Sequence, residues 1–150
     1  MQHQDIGYLL NRAARQIRLR LGEALAETAL TPQQAAVMLA IARSPGKSLT
    51  PRAVAGAIET DAATTSGLLD RLTRDCWLMP HPNPNDGRSR LFVLTERAEQ
   101  ILPAVMVAAQ GVSSAVTSSF TAVELKSLVS LLQRLGDQVE TASSKKAGSL

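Results

Sequence analysis

The sequence predicts a mainly α-helical fold with one small β-hairpin, and three observations support this prediction. Several segments repeat apolar residues at steps of three and four, the period of an amphipathic helix. Thr-Pro pairs and a Thr-x-x-Glu capping box mark helix starts. A loop rich in Pro, Asn and Gly separates two short strand-like runs. At 150 residues, 45% hydrophobic and 19% charged, the chain has the size and composition of one globular domain.

The composition excludes several classes of protein. The single cysteine, Cys76, forbids an intramolecular disulfide, and together with His3 and His81 it gives no recognised zinc-ligand spacing, so no metal or other cofactor is expected. Aromatic residues form 3% of the chain, too few for the base-stacking surfaces of single-strand binders. No apolar run of the roughly 18 residues of a membrane span and no signal peptide are recognised, so we expect a cytoplasmic protein without a membrane partner.

The basic residues point to a nucleic-acid partner. The chain carries 16 lysines and arginines, most of them arginine, and a formal net charge of +3. The planar fork of arginine suits phosphates and guanine edges. Because the net charge is modest, this composition indicates such a partner without establishing it.

The first two helices are predicted from spacing and capping. Over Asp5–Thr28 one apolar stripe recurs at steps of four and three, with the arginines mostly off it. Thr31 is then a typical N-cap, with a proline at the first helical position and Gln34 three residues on. This second helix is predicted to end at Arg43, before a Ser-Pro-Gly turn.

A tight pair of helices is predicted next. Thr50 and Pro51 open a short helix that stops before residues 59–61, and Asp61 caps a helix that runs to about Asp75. One arc of the second helix is apolar and contains Thr65, Leu68, Leu69 and Leu72. The opposite arc is small, polar and partly basic and contains Ala63, Thr64, Gly67, Asp70, Arg71 and Arg74.

The remaining elements are a hairpin and two long helices. The hairpin pairs Trp77–His81 with Arg90–Leu94 across an exposed loop. A helix capped by Thr95 is predicted to about Ser119, and the capping box at Thr121 opens a last helix to about Thr141. The tail, residues 142–150, has no apolar face and is predicted to be disordered.

This order of elements is that of a winged helix-turn-helix framed by terminal helices. In such a unit the second helix of the pair enters the major groove, and the hairpin, or wing, reaches the neighbouring backbone or minor groove of duplex DNA. The predicted DNA-binding residues are Arg52, Ala63, Thr64, Ser66, Gly67, Arg71, Arg74, Arg88 and Arg90, to which the family resemblance given next adds Asp86. No phosphate-binding loop, nucleophile elbow or zinc-protease motif is found in the sequence, so no enzymatic activity is expected.

From about Tyr8 to Val139 the chain resembles the MarR-type winged-helix transcription regulators. The resemblance is carried by the runs Leu69–Leu72, Trp77-Leu78 and Asp86–Thr95. That family has Asp-x-Arg at the wing, then a strand and a Leu-Thr pair that opens the next long helix. Its wing arginine enters the minor groove and its aspartate orients the arginine, which implies these roles for Arg88 and Asp86.

The resemblance further implies a homodimeric repressor that binds a pseudo-palindromic site. A small aromatic or anionic effector would release it, from a pocket between the dimer helices and the DNA-binding part; no effector-binding residue is assigned. The dimer would form through residues 1–30 and 95–141, and DNA would bind residues 31–94. The predicted dimer contacts are Leu10, Ile17, Leu21, Leu125, Leu128, Leu132 and Leu135.

Two departures from the family pattern affect the second helix of the pair, the recognition helix, which is predicted from Asp61 to about Asp75. Cys76 stands where the family usually has glycine, so we expect a distorted helix end, because cysteine tolerates the left-handed conformation poorly. Gly67 replaces a larger polar or basic residue, which shifts the expected specificity toward the wing and DNA shape. Two alternatives stay open: an oxidant-sensing regulator of the same fold that acts through Cys76, and a winged helix that binds protein instead of DNA.

Overall fold

The computed structural model describes the backbone of residues 5–147 and the side chains of residues 5–142. It contains six α-helices and one two-stranded antiparallel sheet in this described part, which confirms the predicted fold class. Two compact units are distinguished, Met1–Val112 and Ser113–Leu150. The elements are α1 (Ile6–Ala24), α2 (Pro32–Arg43), α3 (Pro51–Ala57), α4 (Ala62–Arg74), β1 (Leu78–Pro82), β2 (Arg90–Leu94), α5 (Glu96–Thr117) and α6 (Ala122–Ala147).

Side-chain caps define most helix starts, as predicted. The Thr31 hydroxyl accepts from the Gln34 amide at 3.2 Å while the Gln34 side chain accepts from the Thr31 amide at 3.0 Å. Thr50 and Asp61 cap α3 and α4 by the same backbone contact. At α6, Glu124 accepts from the backbone and the hydroxyl of Thr121, and these hydrogen bonds lower the pKa of the Glu124 carboxyl.

The first helix ends earlier than predicted. α1 stops at Ala24, and a 3₁₀ turn and left-handed Ala29 reverse the chain before Thr31. Leu25, which lies off the predicted apolar stripe, is fully buried and belongs to the core instead. The predicted helix was too long because Thr28 lies at helical spacing from the apolar residues before it, although it belongs to the 3₁₀ turn.

The core of the first unit lies between α2, α3, α4 and the hairpin. Its largest fully buried members are Leu25, Met38, Ile41, Leu72 and Leu78. The four residues predicted on the inner arc of α4 are all buried, which fixes the orientation of that helix: Thr65, Leu68, Leu69 and Leu72. β1 begins one residue later than predicted and pairs Leu78 with Leu94. Leu49 adds an isolated bridge to Phe92.

Most apolar residues of α1 and α6 are exposed in the single chain. None of the described side chains of either helix is buried. Of the seven predicted dimer contacts, Leu10, Ile17, Leu128 and Leu132 are exposed, Leu125 and Leu135 are half-buried, and Leu21 packs partly against the core of its own chain. α6 also continues to Ala147, beyond Thr141, where the sequence analysis ended it; residues 148–150 of the predicted tail lie outside the described residues.

Helix α5 corrects the expectation that no segment is long and apolar enough to cross a membrane. Among the described residues, α5 is long and apolar enough to cross a membrane by length and composition, with a mean hydropathy of 1.3 over its best window. The reason is that its charges cluster at its start, at Glu96, Arg97 and Glu99, and none follows before Thr117. A single helix of this kind is weak ground for a membrane protein.

Candidate nucleic-acid interface

The predicted DNA-binding residues lie on the outer face of α4, on the wing and, for Arg52, in the first turn of α3. Nine of them are exposed, namely Arg52, Ala63, Thr64, Ser66, Arg71, Arg74, Asp86, Arg88 and Arg90, and Gly67 is half-buried. All ten belong to the first unit. The face therefore combines exposed guanidinium groups with small residues that let a groove approach closely.

The Asp61 carboxylate occupies the N-terminus of α4. The Asp61 carboxylate accepts from the Thr64 amide at 2.8 Å and from the Thr64 hydroxyl at 2.8 Å. The Thr64 amide is the larger cause and the hydroxyl the next, and together they lower the pKa of the Asp61 carboxyl. Because Asp61 occupies these donors, a phosphate that approached Thr64 would have to displace this contact.

The two arginines of α4 are held differently. Arg71 lies back along the helix, where its Nε donates to the Gly67 carbonyl at 3.3 Å. A Cβ atom at Gly67 would stand 4.0 Å from the Arg71 guanidinium, an ordinary contact. Arg74 lies 3.8 Å from the Asp75 carboxylate, and both side chains are at least half exposed, so this ion pair restrains Arg74 little. Both guanidinium groups can therefore turn toward a partner.

The wing tip is built from backbone turns. Asn83 accepts from the Asn85 amide at 3.0 Å, and the Asp86 carboxylate accepts from the Arg88 amide at 2.9 Å. The carboxylate thus fixes the backbone at Arg88. Among the described residues the carboxylate makes no ion pair with the Arg88 guanidinium, so the orienting role implied for Asp86 stays a prediction.

The end of α4 is a regular Schellman motif. The Cys76 amide donates to the Thr73 carbonyl at 3.1 Å and the Trp77 amide to the Leu72 carbonyl at 2.8 Å. This motif needs a left-handed residue at position 76, and Cys76 has a φ of 60°. The prediction of a distorted helix end is therefore wrong, since Cys76 adopts the left-handed backbone conformation that this motif requires.

The first turn of α5 contacts this helix end, which the sequence analysis did not predict. The Thr95 hydroxyl donates to the Cys76 carbonyl at 2.7 Å, and Arg97 Nη1 donates to the Asp75 carbonyl at 2.6 Å. The Arg97 guanidinium also stacks on the Trp77 ring, 3.9 Å from its centroid. Only the arginine two residues after the Leu-Thr pair could have indicated this contact.

A cavity of about 520 Å³ lies beside this contact, within the first unit. Trp77, Ile101 and Ala104 give it an apolar wall, and Arg97 and Gln100 give it donors. Glu27, Thr28 and Ala29 form the rest of the lining. Among the described residues, no group of three or more His, Cys, Asp or Glu side chains could hold a metal ion.

Comparison with known proteins finds the family that the sequence resembles. Residues 30–89, which contain the helix pair and the wing tip, match the sequence model of the MarR family. The chain is similar to the HTH-type transcriptional repressor NicR of Pseudomonas putida, with 27% identity over 139 residues, 93% of this chain and 87% of NicR.

Solved MarR-family structures share the fold over most of the chain. A mutant MarR from E. coli in complex with operator DNA has a TM-score of 0.79 at 26% identity, over 88% of this chain and 94% of that one. BpsR of Bordetella bronchiseptica has a TM-score of 0.81 at 23% identity, over 91% and 96%. The chain thus shares the fold of a MarR that was solved in complex with operator DNA.

Proposed function

We propose that this protein is a MarR-family regulator: a homodimeric, cytoplasmic repressor that binds a pseudo-palindromic duplex site and leaves it when a small aromatic carboxylate binds. The observation that carries the proposal is the exposed basic face of α4, which lies in one unit with the wing. Two copies of α4 would enter successive major grooves, roughly 34 to 36 Å apart.

In this proposal each exposed side chain has a role set by its chemistry. Arg71 and Arg74 would reach guanine edges or phosphates, and Arg52, in the first turn of α3, a phosphate. Ala63, Ser66 and Gly67 would allow close approach of the helix, and Thr64 would exchange its Asp61 contact for a phosphate. Arg88, with its backbone fixed by Asp86, would enter the narrow minor groove, where the potential is most negative, and Arg90 would contact the backbone beside it.

The dimer is supported by the apolar surface of α1 and α6. Helices of 19 and 26 residues gain most of their stability from tertiary packing, yet the described side chains of these two are not buried in the single chain. Ile17 is 41% exposed and Leu132 is 43% exposed. A second copy that covered this surface would bury it, and residues 1–30 and 95–141 would then form the dimerisation region. The apolar surface of α5 has the same explanation, without a membrane.

The cavity beside Trp77 is the proposed effector site. Trp77 and Ile101 would contact a flat ring, and a carboxylate would accept from Arg97 and Gln100. Glu27 in the same lining disfavours a second negative charge and favours a ligand that also carries a donor, such as a hydroxyl group. DNA binding by BpsR, which shares the fold, is regulated by 6-hydroxynicotinic acid.

The direct test is a titration of labelled duplex from upstream of the protein's own gene, followed by fluorescence anisotropy at several salt concentrations. A dimer that neutralises several phosphates should lose affinity steeply as salt rises, with a slope of about −0.9 per phosphate contact. A scrambled duplex of equal length is the control and should bind more weakly. Failure to bind either duplex at low ionic strength would contradict the proposal and favour a protein-binding module.

A further inference from the structure

The C-terminal end of the recognition helix is held by residues from another helix. The carbonyls of Asp75, Cys76 and Trp77 follow the last turn of α4 and point out of it. The Asp75 carbonyl accepts from Arg97, the Cys76 carbonyl accepts from the Thr95 hydroxyl, and the Trp77 carbonyl accepts from the Thr95 amide at 3.1 Å. Two residues at the start of α5 therefore satisfy three successive acceptors at the end of α4.

Arg97 contributes more than one hydrogen bond to this junction. Its positive charge lies at the end of α4 that carries the negative partial charge of the helix dipole. Its guanidinium stacks on Trp77, which is 5% exposed and so belongs to the core. Arg97 thus connects the residue that caps the end of α4 to the packed interior, whereas Arg71 and the adjacent Arg74 are held only by weak exposed contacts.

We propose that Arg97 is a positioning residue for DNA binding: it fixes the end of α4, and with it the directions of Arg71 and Arg74, without contacting DNA itself. This inference rests on the proposed function, in which α4 enters the major groove. The same guanidinium lines the Trp77 cavity, so an acceptor bound there competes with the Asp75 carbonyl for its N–H groups.

The test compares the unmodified protein with Arg97→Ala and Arg97→Lys on the operator duplex and on a scrambled duplex. Arg97→Ala should weaken operator binding by roughly fivefold to tenfold, because a charged hydrogen bond and a cation–π contact are both lost. Its affinity for the scrambled duplex should change by less than about twofold, and the salt slope of operator binding should stay the same. Arg97→Lys keeps the charge but not the planar fork and should give an intermediate affinity.

Two results would overturn the inference. Equal operator affinity of Arg97→Ala and the unmodified protein would show that the junction does not position α4. A salt slope reduced by about one unit would show instead that Arg97 contacts a phosphate. Leu102→Ala, on the same helix and packed against the core, controls for loss of stability and should bind DNA normally below its melting temperature. If the unmodified protein does not bind duplex, the proposed function fails as well. If the unmodified protein binds the operator and the Arg97 variants bind it equally well, this inference alone fails.

Discussion

Replacing Cys76 by glycine should stabilise the protein, since residue 76 has a φ of 60° at the end of α4. A non-glycine residue in this conformation is destabilised by about 1 to 2 kcal/mol. Glycine loses roughly 0.5 to 1 kcal/mol more conformational entropy on folding, which offsets part of the gain. The thiol contributes little, because its contact is a 3.9 Å approach of Sγ to the Arg74 carbonyl at an exposed position. We therefore expect Cys76→Gly to raise the free energy of unfolding by about 0.5 to 1 kcal/mol.

The measurement is thermal unfolding by circular dichroism at one fixed protein concentration, with urea unfolding as a second estimate. For a chain of this length the gain corresponds to an increase in Tm of about 1 to 4 °C. Cys76→Ala is the matched control, because it removes the thiol but keeps the Cβ atom, and its Tm should stay near that of the unmodified protein. If Cys76→Gly melts at the same or a lower temperature, the reasoning from the left-handed backbone is wrong. DNA binding that peroxide abolishes and dithiothreitol restores in the unmodified protein, but not in Cys76→Ala, would favour the oxidant-sensing alternative.

Four further predictions concern the proposed function. Arg88→Ala should weaken operator affinity by roughly 1 to 3 kcal/mol in anisotropy titrations and leave the dimer intact; unchanged affinity would exclude the wing arginine from binding. Leu132→Asp should give monomeric or unfolded chains by light scattering, since a charge would replace a leucine at the proposed interface; a stable dimer that binds DNA would refute this placement. The pKa of Asp61 is lowered by folding, so its contribution to stability is full above its ordinary pKa of 3.8 and is lost as pH falls through the lower folded value; a carboxyl that titrates normally by NMR would contradict the cap. Benzoate should change the fluorescence of Trp77, the only tryptophan, and release DNA, whereas neutral benzamide should do neither; no response to millimolar benzoate would argue against the cavity as an aromatic carboxylate site.

The features predicted correctly from the sequence are those set by neighbouring residues. The inner arc of α4 follows from the helical period alone, and Thr65 and Leu72 are buried on it as expected. The starts of α2 and α6 follow from capping boxes that span four residues. In each case one short window contains both partners of the interaction.

The features missed depend on residues far apart in sequence. The contact of Arg97 with Asp75 spans 22 positions, and the Leu49 bridge to Phe92 joins a loop to the wing. Leu25 was missed because the turn after α1 changes the direction of the side chains that follow it. The DNA-binding roles themselves stay predictions, because exposure shows which side chains are accessible but not which of them contact DNA.

The two ends of α4, the proposed DNA-binding helix, are stabilised in different ways, and this difference bears on the proposed regulation. Asp61 caps the start of α4 through Thr64, three residues away, so this cap depends on neighbouring residues of the sequence. The other end depends on Thr95 and Arg97 at the start of α5, and Arg97 also lines a cavity. A ligand can shift an equilibrium only through a contact that differs between two states, and in the first unit the Arg97 contact joins the proposed effector site to the proposed DNA-binding helix. Substitutions at Asp61 should therefore lower the stability of the helix equally with and without ligand, whereas substitutions at Arg97 should reduce the difference in DNA affinity that the ligand causes.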